Sequence, residues 1–142
     1  MVNILLVEDN EVDVECIQRA FERYRILNPV VVARDGIDAL DMLRGTGGAP
    51  ALQRPYMIIL DLNLPRMDGI ELLRELRKDA ELRDSIVFVL TTSQDDDDKV
   101  ASYSFNVAGY MVKNRIGEGF LGLCEMLDRY WRVIEFPPSP RR

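Results

Sequence analysis

The sequence predicts an α/β domain, doubly wound around a parallel sheet, and three observations carry that expectation. Short apolar runs alternate with helical patterns from one end of the chain to the other. Four of the runs end on polar residues of different and complementary kinds. The length, 142 residues, suits one domain with a real core.

The elements follow in order. Asn3-Ile4-Leu5-Leu6-Val7 reads as the first strand and runs into Glu8-Asp9. Residues 11–24 then carry Val14, Ile17, Ala20, Phe21 and Tyr24 near one helical face. Pro29 opens a second strand, Val30-Val31-Val32-Ala33, and Asp35 caps a short helix bearing Ile37, Leu40 and Leu43 that Gly45 stops. Residues 46–55 form a loop rich in Gly and Pro, longer than most αβ connections. Tyr56-Met57-Ile58-Ile59-Leu60 is the third strand and ends on Asp61. Asp68-Gly69-Ile70-Glu71 has the pattern of a capping box and starts a helix with Ile70, Leu72, Leu73 and Leu76 inward.

Ile86-Val87-Phe88-Val89-Leu90 is the fourth strand and runs into Thr91. Ser93 or Asp95 caps a fourth helix that bears Val100, Ala101 and Phe105. Gly109-Tyr110-Met111-Val112 is the fifth strand and runs into Lys113. A fifth helix over 117–131 shows Phe120, Leu123, Cys124, Leu127 and Trp131 at helical spacing. The organisation is one domain over 1–132, followed by a Pro- and Arg-containing tail over 133–142. Residues 136–142 cannot continue a helix and read as a mobile or partner-bound segment.

Composition excludes several classes. Hydrophobic residues make up 47% and charged residues 30%, as in ordinary globular proteins, and the apolar runs are far too short to span a membrane. No secretory signal is visible, and Cys16 and Cys124 read as reduced thiols, so the expected location is the cytoplasm. A net charge of −6 argues against direct gripping of a nucleic-acid backbone. The sequence contains no histidine, which excludes Ser-His-Asp and Cys-His catalysis and histidine metal sites. Any phosphohistidine in its chemistry comes from another protein.

If the runs are parallel strands, their carboxyl ends share one edge, where open α/β sheets bind ligands. Glu8, Asp9, Asp61, Thr91 and Lys113 then meet in one shallow pocket. Its carboxylate oxygens suit a hard divalent cation such as Mg²⁺. Asp61, a single carboxylate at a strand end, is the candidate nucleophile for an aspartyl-phosphate. Lys113 offsets the carboxylates' repulsion, and Thr91 can donate to a phosphoryl oxygen.

These residues lie in motifs that resemble the receiver domains of two-component response regulators. The resemblance rests on Leu6-Val7-Glu8-Asp9-Asn10, Leu60-Asp61-Leu62-Asn63-Leu64-Pro65-Arg66-Met67-Asp68-Gly69, Leu90-Thr91-Thr92-Ser93 and Gly109-Tyr110-Met111-Val112-Lys113. It implies a flavodoxin-like fold with five strands in the order 2-1-3-4-5 and five helices. It implies that Asp61 accepts phosphate from a partner kinase's phosphohistidine, with self-catalysed phosphotransfer and autodephosphorylation rather than conventional enzyme activity. Glu8, Asp9, Asp61 and the backbone carbonyl of Asn63 would bind Mg²⁺, with Mn²⁺ as a substitute. Lys113 would pair with the phosphoryl group, Thr91 would move toward it, and Tyr110 would swing inward on activation. Asn63 and Ser93 occupy positions that tune phosphate lifetime in the family.

The resemblance also implies a sensor histidine kinase, a downstream protein target, and a homodimer through the fourth helix, fifth strand and fifth helix. Tyr103, Phe105, Tyr110 and Trp131 are candidate contributors there. The 46–55 loop, the segment Leu90-Thr91-Thr92-Ser93 and the 131–138 extension resemble stand-alone receivers that serve phytochrome-type histidine kinases. One departure matters: Asn114 stands where the family usually has a cis-bonded proline. A cis bond before a non-proline residue costs roughly 2.5–4 kcal/mol, so the aim of Lys113 is open. That departure motivates a rival reading, a non-phosphorylated adaptor on the same scaffold. A third class is a flavodoxin-like cofactor binder or an aspartate-based phosphatase. Glu8-Asp9-Asn10-Glu11 opposes a flavin phosphate, and Asn63 is not the second acid a phosphatase requires.

Overall fold

In the computed structural model, which describes residues 1–48 and 50–139, the elements fall close to their expected positions. They are β1 (Asn3–Val7), α1 (Glu11–Arg23), β2 (Val30–Ala33), α2 (Gly36–Arg44), β3 (Tyr56–Leu60), α3 (Gly69–Lys78), β4 (Ile86–Thr91), α4 (Asp96–Ser104), β5 (Gly109–Val112) and α5 (Leu121–Val133). All strand pairs are parallel, in the order β2-β1-β3-β4-β5. The doubly wound fold is therefore as expected.

Successive strand side chains alternate between two cores. Leu5, Val7, Ile58, Leu60, Val87 and Val89 face a core closed by α2 and α3. Ile4, Leu6, Met57, Ile59, Phe88 and Leu90 face a second, closed by α1 and α5. Each fully buried Leu or Ile contributes about 1.5–3 kcal/mol, so the sheet resists shearing and fixes where its strand ends lie.

The caps at Asp35, Asp68 and Asp95 act as the sequence suggests, and Asn10 adds one that was not expected. Asn10, Asp35, Asp68 and Asp95 accept from backbone N–H groups in the first turns of α1, α2, α3 and α4. Of the two residues considered for the α4 cap, Asp95 takes it. Gly45 ends α2 in the left-handed conformation, φ 74°.

Some expectations need correction. Tyr24, Ile37 and Val100 were expected inward, yet each is exposed. Val100 gives way to Ser102, which is buried because its hydroxyl donates to the Asp98 carbonyl at 2.7 Å. α5 begins at Leu121 rather than Gly117, because single-turn helices at Lys113–Arg115 and Glu118–Phe120 intervene. Gly122 then abuts the Ile116 carbonyl, at 2.5 Å from where a Cβ would stand.

The segment after α5 does not stand free. Phe136 meets Tyr130 edge-on at 6.3 Å, and Arg54 donates to the Pro138 carbonyl at 3.2 Å. Two aromatic rings and a backbone acceptor give this segment a docking place that its prolines did not reveal. Residues 140–142 of the expected tail, and Ala49 in the expected loop, lie outside the described residues.

Arg77, on α3, fastens the far side. Its guanidinium donates to the carbonyls of Phe105 (2.6 Å), Arg83 (2.8 Å), Ser85 (2.9 Å) and Asn106 (3.2 Å). The end of α4 and the start of β4 are thus tied to one side chain.

Gly69 controls how closely α3 approaches the β3 end. A Cβ there would stand 2.6 Å from the Asp61 carbonyl oxygen and 2.7 Å from the Leu62 Cα, both backbone atoms that cannot yield cheaply. Gly69→Ala is expected to destabilise the fold by about 1–3 kcal/mol, read as a lowered urea midpoint.

Candidate functional site: an acidic pocket at the strand ends

Sheet register builds the pocket. Val7 pairs with Leu60, and the ladder continues as Asp61 N–H donates to the Val7 carbonyl at 3.0 Å. Glu8 N–H likewise donates to the Ala33 carbonyl at 2.9 Å. Glu8 and Asp61 therefore leave adjacent strands at the same level. Thr91 pairs with Val112, so Lys113 emerges one residue beyond Thr91. Thr91 is the last residue of β4 rather than the first of the loop.

Glu8, Asp61 and Thr91 are buried, while Asp9 and Asn63 are exposed at the rim. Carboxylate oxygens of Glu8, Asp9 and Asp61 lie within 4.8 Å of one another. An all-oxygen donor set of this spacing, open on the Asp9 side, fits a hard divalent cation that keeps some of its waters.

Lys113 closes the other side. Its Nζ donates to Glu8 Oε1 at 2.5 Å, Asp13 Oδ2 at 2.7 Å and Asp61 Oδ2 at 3.1 Å, and its side chain is 9% exposed. The Lys113–Asn114 bond is not cis; among the described residues the cis peptide is Arg54–Pro55. The departure at Asn114 thus leaves the ammonium aimed at Asp61. Burial works against the ammonium form, but Asp13, Glu8 and Asp61 outweigh it and hold its pKa above that of a free lysine.

The two buried carboxyls separate in acidity. Burial, followed by the hydrogen bond with Asp61, pushes Glu8 up to about 7 against the pull of Lys113. Burial also opposes ionisation of Asp61. Bonds from Glu8, the Thr91 hydroxyl and the Asn63 N–H, with the Lys113 charge, overcome it and hold Asp61 below the usual carboxylate range. Of the two buried carboxyls, Asp61 is thus the one that favours its charged form.

The loop carrying Asn63 is held from both ends. Asn63 N–H donates to Asp61 Oδ1 at 3.2 Å, and Gly69 N–H to the Leu62 carbonyl at 3.0 Å. On the α2 side, Arg66 reaches Asp35 at 2.7 Å and Asp38 at 3.1 Å. Gly36 N–H meets the Met67 carbonyl at 3.0 Å.

A second network leads outward. Ser93 N–H donates to Thr91 Oγ1 at 3.4 Å, and Ser93 Oγ to Asp98 Oδ2 at 2.5 Å. The Tyr110 hydroxyl donates to the Ser93 carbonyl at 2.9 Å, which fixes its ring against the β4–α4 loop. Glu8, Asp9, Asp61, Asn63, Thr91, Ser93 and Lys113 thus gather at one sheet edge, and the hydroxyl of Tyr110, from within β5, reaches that edge through Ser93. Asp13 was missed. Its only sequence signal is its position three residues after the cap Asn10, which places it in the first turn of α1 above the pocket.

A parallel sheet in the order 2-1-3-4-5, with carboxylates, a hydroxyl and a lysine at its carboxyl edge, is the arrangement of a receiver domain. The chain belongs to the response regulator receiver domain family, whose pattern matches residues 4–118. It is 36% identical over 128 residues to the response regulator Rcp1 of Synechocystis, covering 90% of this chain and 87% of that protein. It is 41% identical over 138 residues to the probable methanogenesis regulatory protein FilR2 of Methanothrix harundinacea, covering 96% and 88%. The structure of the phosphorylated cyanobacterial phytochrome response regulator RcpA superposes with a TM-score of 0.85 at 36% identity, over 96% of this chain and 99% of that one. The Mn²⁺-bound form of Rcp1 superposes at 0.82 with 32% identity, over 97% and 100%. Mg²⁺, for which Mn²⁺ substitutes, is the cofactor of this class, and the donor set described above fits it.

Lys113 neutralises buried acids, so its removal leaves them uncompensated. Lys113→Ala is expected to destabilise the protein by about 3–5 kcal/mol at neutral pH. Added Mg²⁺ is expected to recover part of that loss, read as a rise in melting temperature larger than the parent shows.

Proposed function

We propose that this chain is a response regulator that accepts a phosphoryl group onto Asp61 from the phosphohistidine of a sensor histidine kinase. The observation that carries this reading is the buried Asp61 carboxylate lying 3.1 Å from the Lys113 ammonium and grouped with Glu8 and Asp9 oxygens. Glu8, Asp9, Asp61 and the backbone carbonyl of Asn63 would hold the Mg²⁺. When bound, the cation supplies positive charge to the equatorial oxygens of the moving group. Lys113 supplies a second positive charge, and Thr91 offers a hydroxyl to a phosphoryl oxygen. Asn63 and Ser93, beside the site, govern how readily water reaches the phosphate. The protein itself assists phosphotransfer and later hydrolysis, so it is not an enzyme acting on a separate substrate.

Phosphorylation brings about two negative charges into the pocket. Thr91 moves toward them, the Ser93 contacts rearrange, and Tyr110 answers by changing its packing. The α4–β5–α5 surface is the output, toward a downstream protein or a second copy of this chain. Tyr103, 53% exposed, and Val100, 69% exposed, support a docking role for that surface. Phe105 and Trp131 pack partly into the cores, and Tyr110 is partly buried too. Similarity to RcpA and Rcp1 supports a phytochrome-type kinase as the phosphate source. The location is the cytoplasm, with no direct contact to nucleic acid or membrane; no helix among the described residues is long and apolar enough to cross one. Val133 closes α5, and residues 134–139 follow it as an extension docked on Tyr130 and Arg54.

The adaptor reading was motivated by Asn114, and it loses that support because Lys113 reaches Asp61. Family membership removes the basis for the flavodoxin-like and phosphatase readings. Incubation with acetyl phosphate and Mg²⁺ is expected to add the mass of one phosphoryl group, and Asp61→Asn or chelation of Mg²⁺ to abolish it. An unmodified parent chain would favour the adaptor. Transfer from a phytochrome-type kinase that outpaces transfer from unrelated histidine kinases would bear out the light-sensing link.

A further inference from the structure

We infer that Asp13 is a positioning residue for phosphoryl transfer, drawing the Lys113 ammonium off Asp61 so that the Asp61 carboxylate stays free to attack. The inference rests on the reading of Asp61 as phosphoacceptor. An ammonium has three N–H donors, and here the three go to Glu8, Asp13 and Asp61. The distances are unequal: 2.5 Å to Glu8 and 2.7 Å to Asp13, against 3.1 Å to Asp61. Glu8 and Asp61 leave neighbouring strands, whereas Asp13 comes from α1. Asp13 is therefore the partner that pulls Nζ toward the helix.

Its own position is fixed. The Asn10 side chain accepts from the Asp13 N–H at 3.0 Å, which locks the backbone from which the carboxylate reaches down. Asp13 lies outside the Glu8, Asp9 and Asp61 oxygen cluster, so it acts on the lysine rather than on a cation. Without it, the ammonium settles into a tight ion pair with Asp61 and masks the attacking oxygen. With it, one N–H remains near enough to follow a phosphoryl oxygen as it arrives.

The step itself balances simply. With acetyl phosphate as donor, an Asp61 oxygen bonds to phosphorus while the bond from phosphorus to the acetyl oxygen breaks. Acetate leaves with the bonding pair, and nothing is oxidised or reduced.

The test is the phosphorylation rate of the full chain at saturating Mg²⁺ and acetyl phosphate, followed by intact mass. Asp13→Ala removes a charge-assisted hydrogen bond and is expected to slow the rate about tenfold. Asp13→Ser, too short to reach Nζ, is expected to behave alike and replaces the alanine chain should that fail to fold. Asp13→Asn keeps an acceptor and is expected to recover to within about threefold of the parent. The Mg²⁺ concentration for half-maximal rate is expected to stay within about twofold. A merely structural role would lower melting temperature without this pattern. An alanine or serine rate within about twofold of the parent, an asparagine chain no faster than alanine, or a matching shift in Mg²⁺ requirement overturns the inference. A parent chain that takes up no phosphoryl group instead overturns the reading of Asp61, and this inference with it.

Discussion

Adjacent parallel strands that both end in carboxylates create a problem of charge, and the structure depends on how Lys113 solves it. Two unit charges 4 Å apart at an effective dielectric near 20 repel by about 4 kcal/mol. Glu8 and Asp61 are both buried, so water relieves little of this. The ammonium lies within hydrogen-bonding distance of both. Glu8 also answers by holding its proton up to about neutral pH, burial being the main cause. The site is thus poised between two neutralising agents, a proton with a lysine on one hand and a divalent cation on the other.

The same hydrogen bonds that hold the pocket also connect it to the surface. Thr91 ends β4 and accepts from the Ser93 N–H, Ser93 donates to Asp98 on α4, and Tyr110 on β5 donates to the Ser93 carbonyl. Two elements of the proposed output face, α4 and β5, therefore meet β4 at one serine, two residues from the threonine that contacts Asp61. A change of charge at Asp61 acts on a compact set of contacts rather than on the whole domain. That economy is what a two-state switch requires.

Much of this was legible in the sequence because the informative residues sit where a hydrophobic run stops. Glu8, Asp61, Thr91 and Lys113 each mark a strand end, and parallel pairing brings strand ends together. The capping residues Asp35, Asp68 and Asp95 were legible too, since they act locally, whereas the Asn10 cap of α1 was not read from the sequence. Helix faces were read less well. A period of 3.6 residues selects a broad stripe, so Tyr24, Ile37 and Val100 matched the pattern yet lie at its exposed margin. Ser102 was overlooked because a polar residue is buried there only through its bond to the Asp98 carbonyl. Asp13 required the rotation of α1 about its axis, which sheet packing decides. The docked segment around Phe136 has no periodicity at all, and its place depends on Tyr130 and Arg54, far apart in the chain.

Arg77 gives α4 an asymmetric mounting. Its guanidinium grips the carbonyls of Phe105 and Asn106 just beyond the helix, together with Arg83 and Ser85 ahead of β4. The opposite end of α4 hangs on the Ser93–Asp98 contact instead. The helix is thus gripped at its tail by one guanidinium and held at its head by lighter contacts, the Ser93 hydroxyl meeting both Asp98 and the Asp95 N–H. Any shift imposed at the pocket end would therefore fade toward the anchored end, so Val100, nearer the head, would travel further than Tyr103.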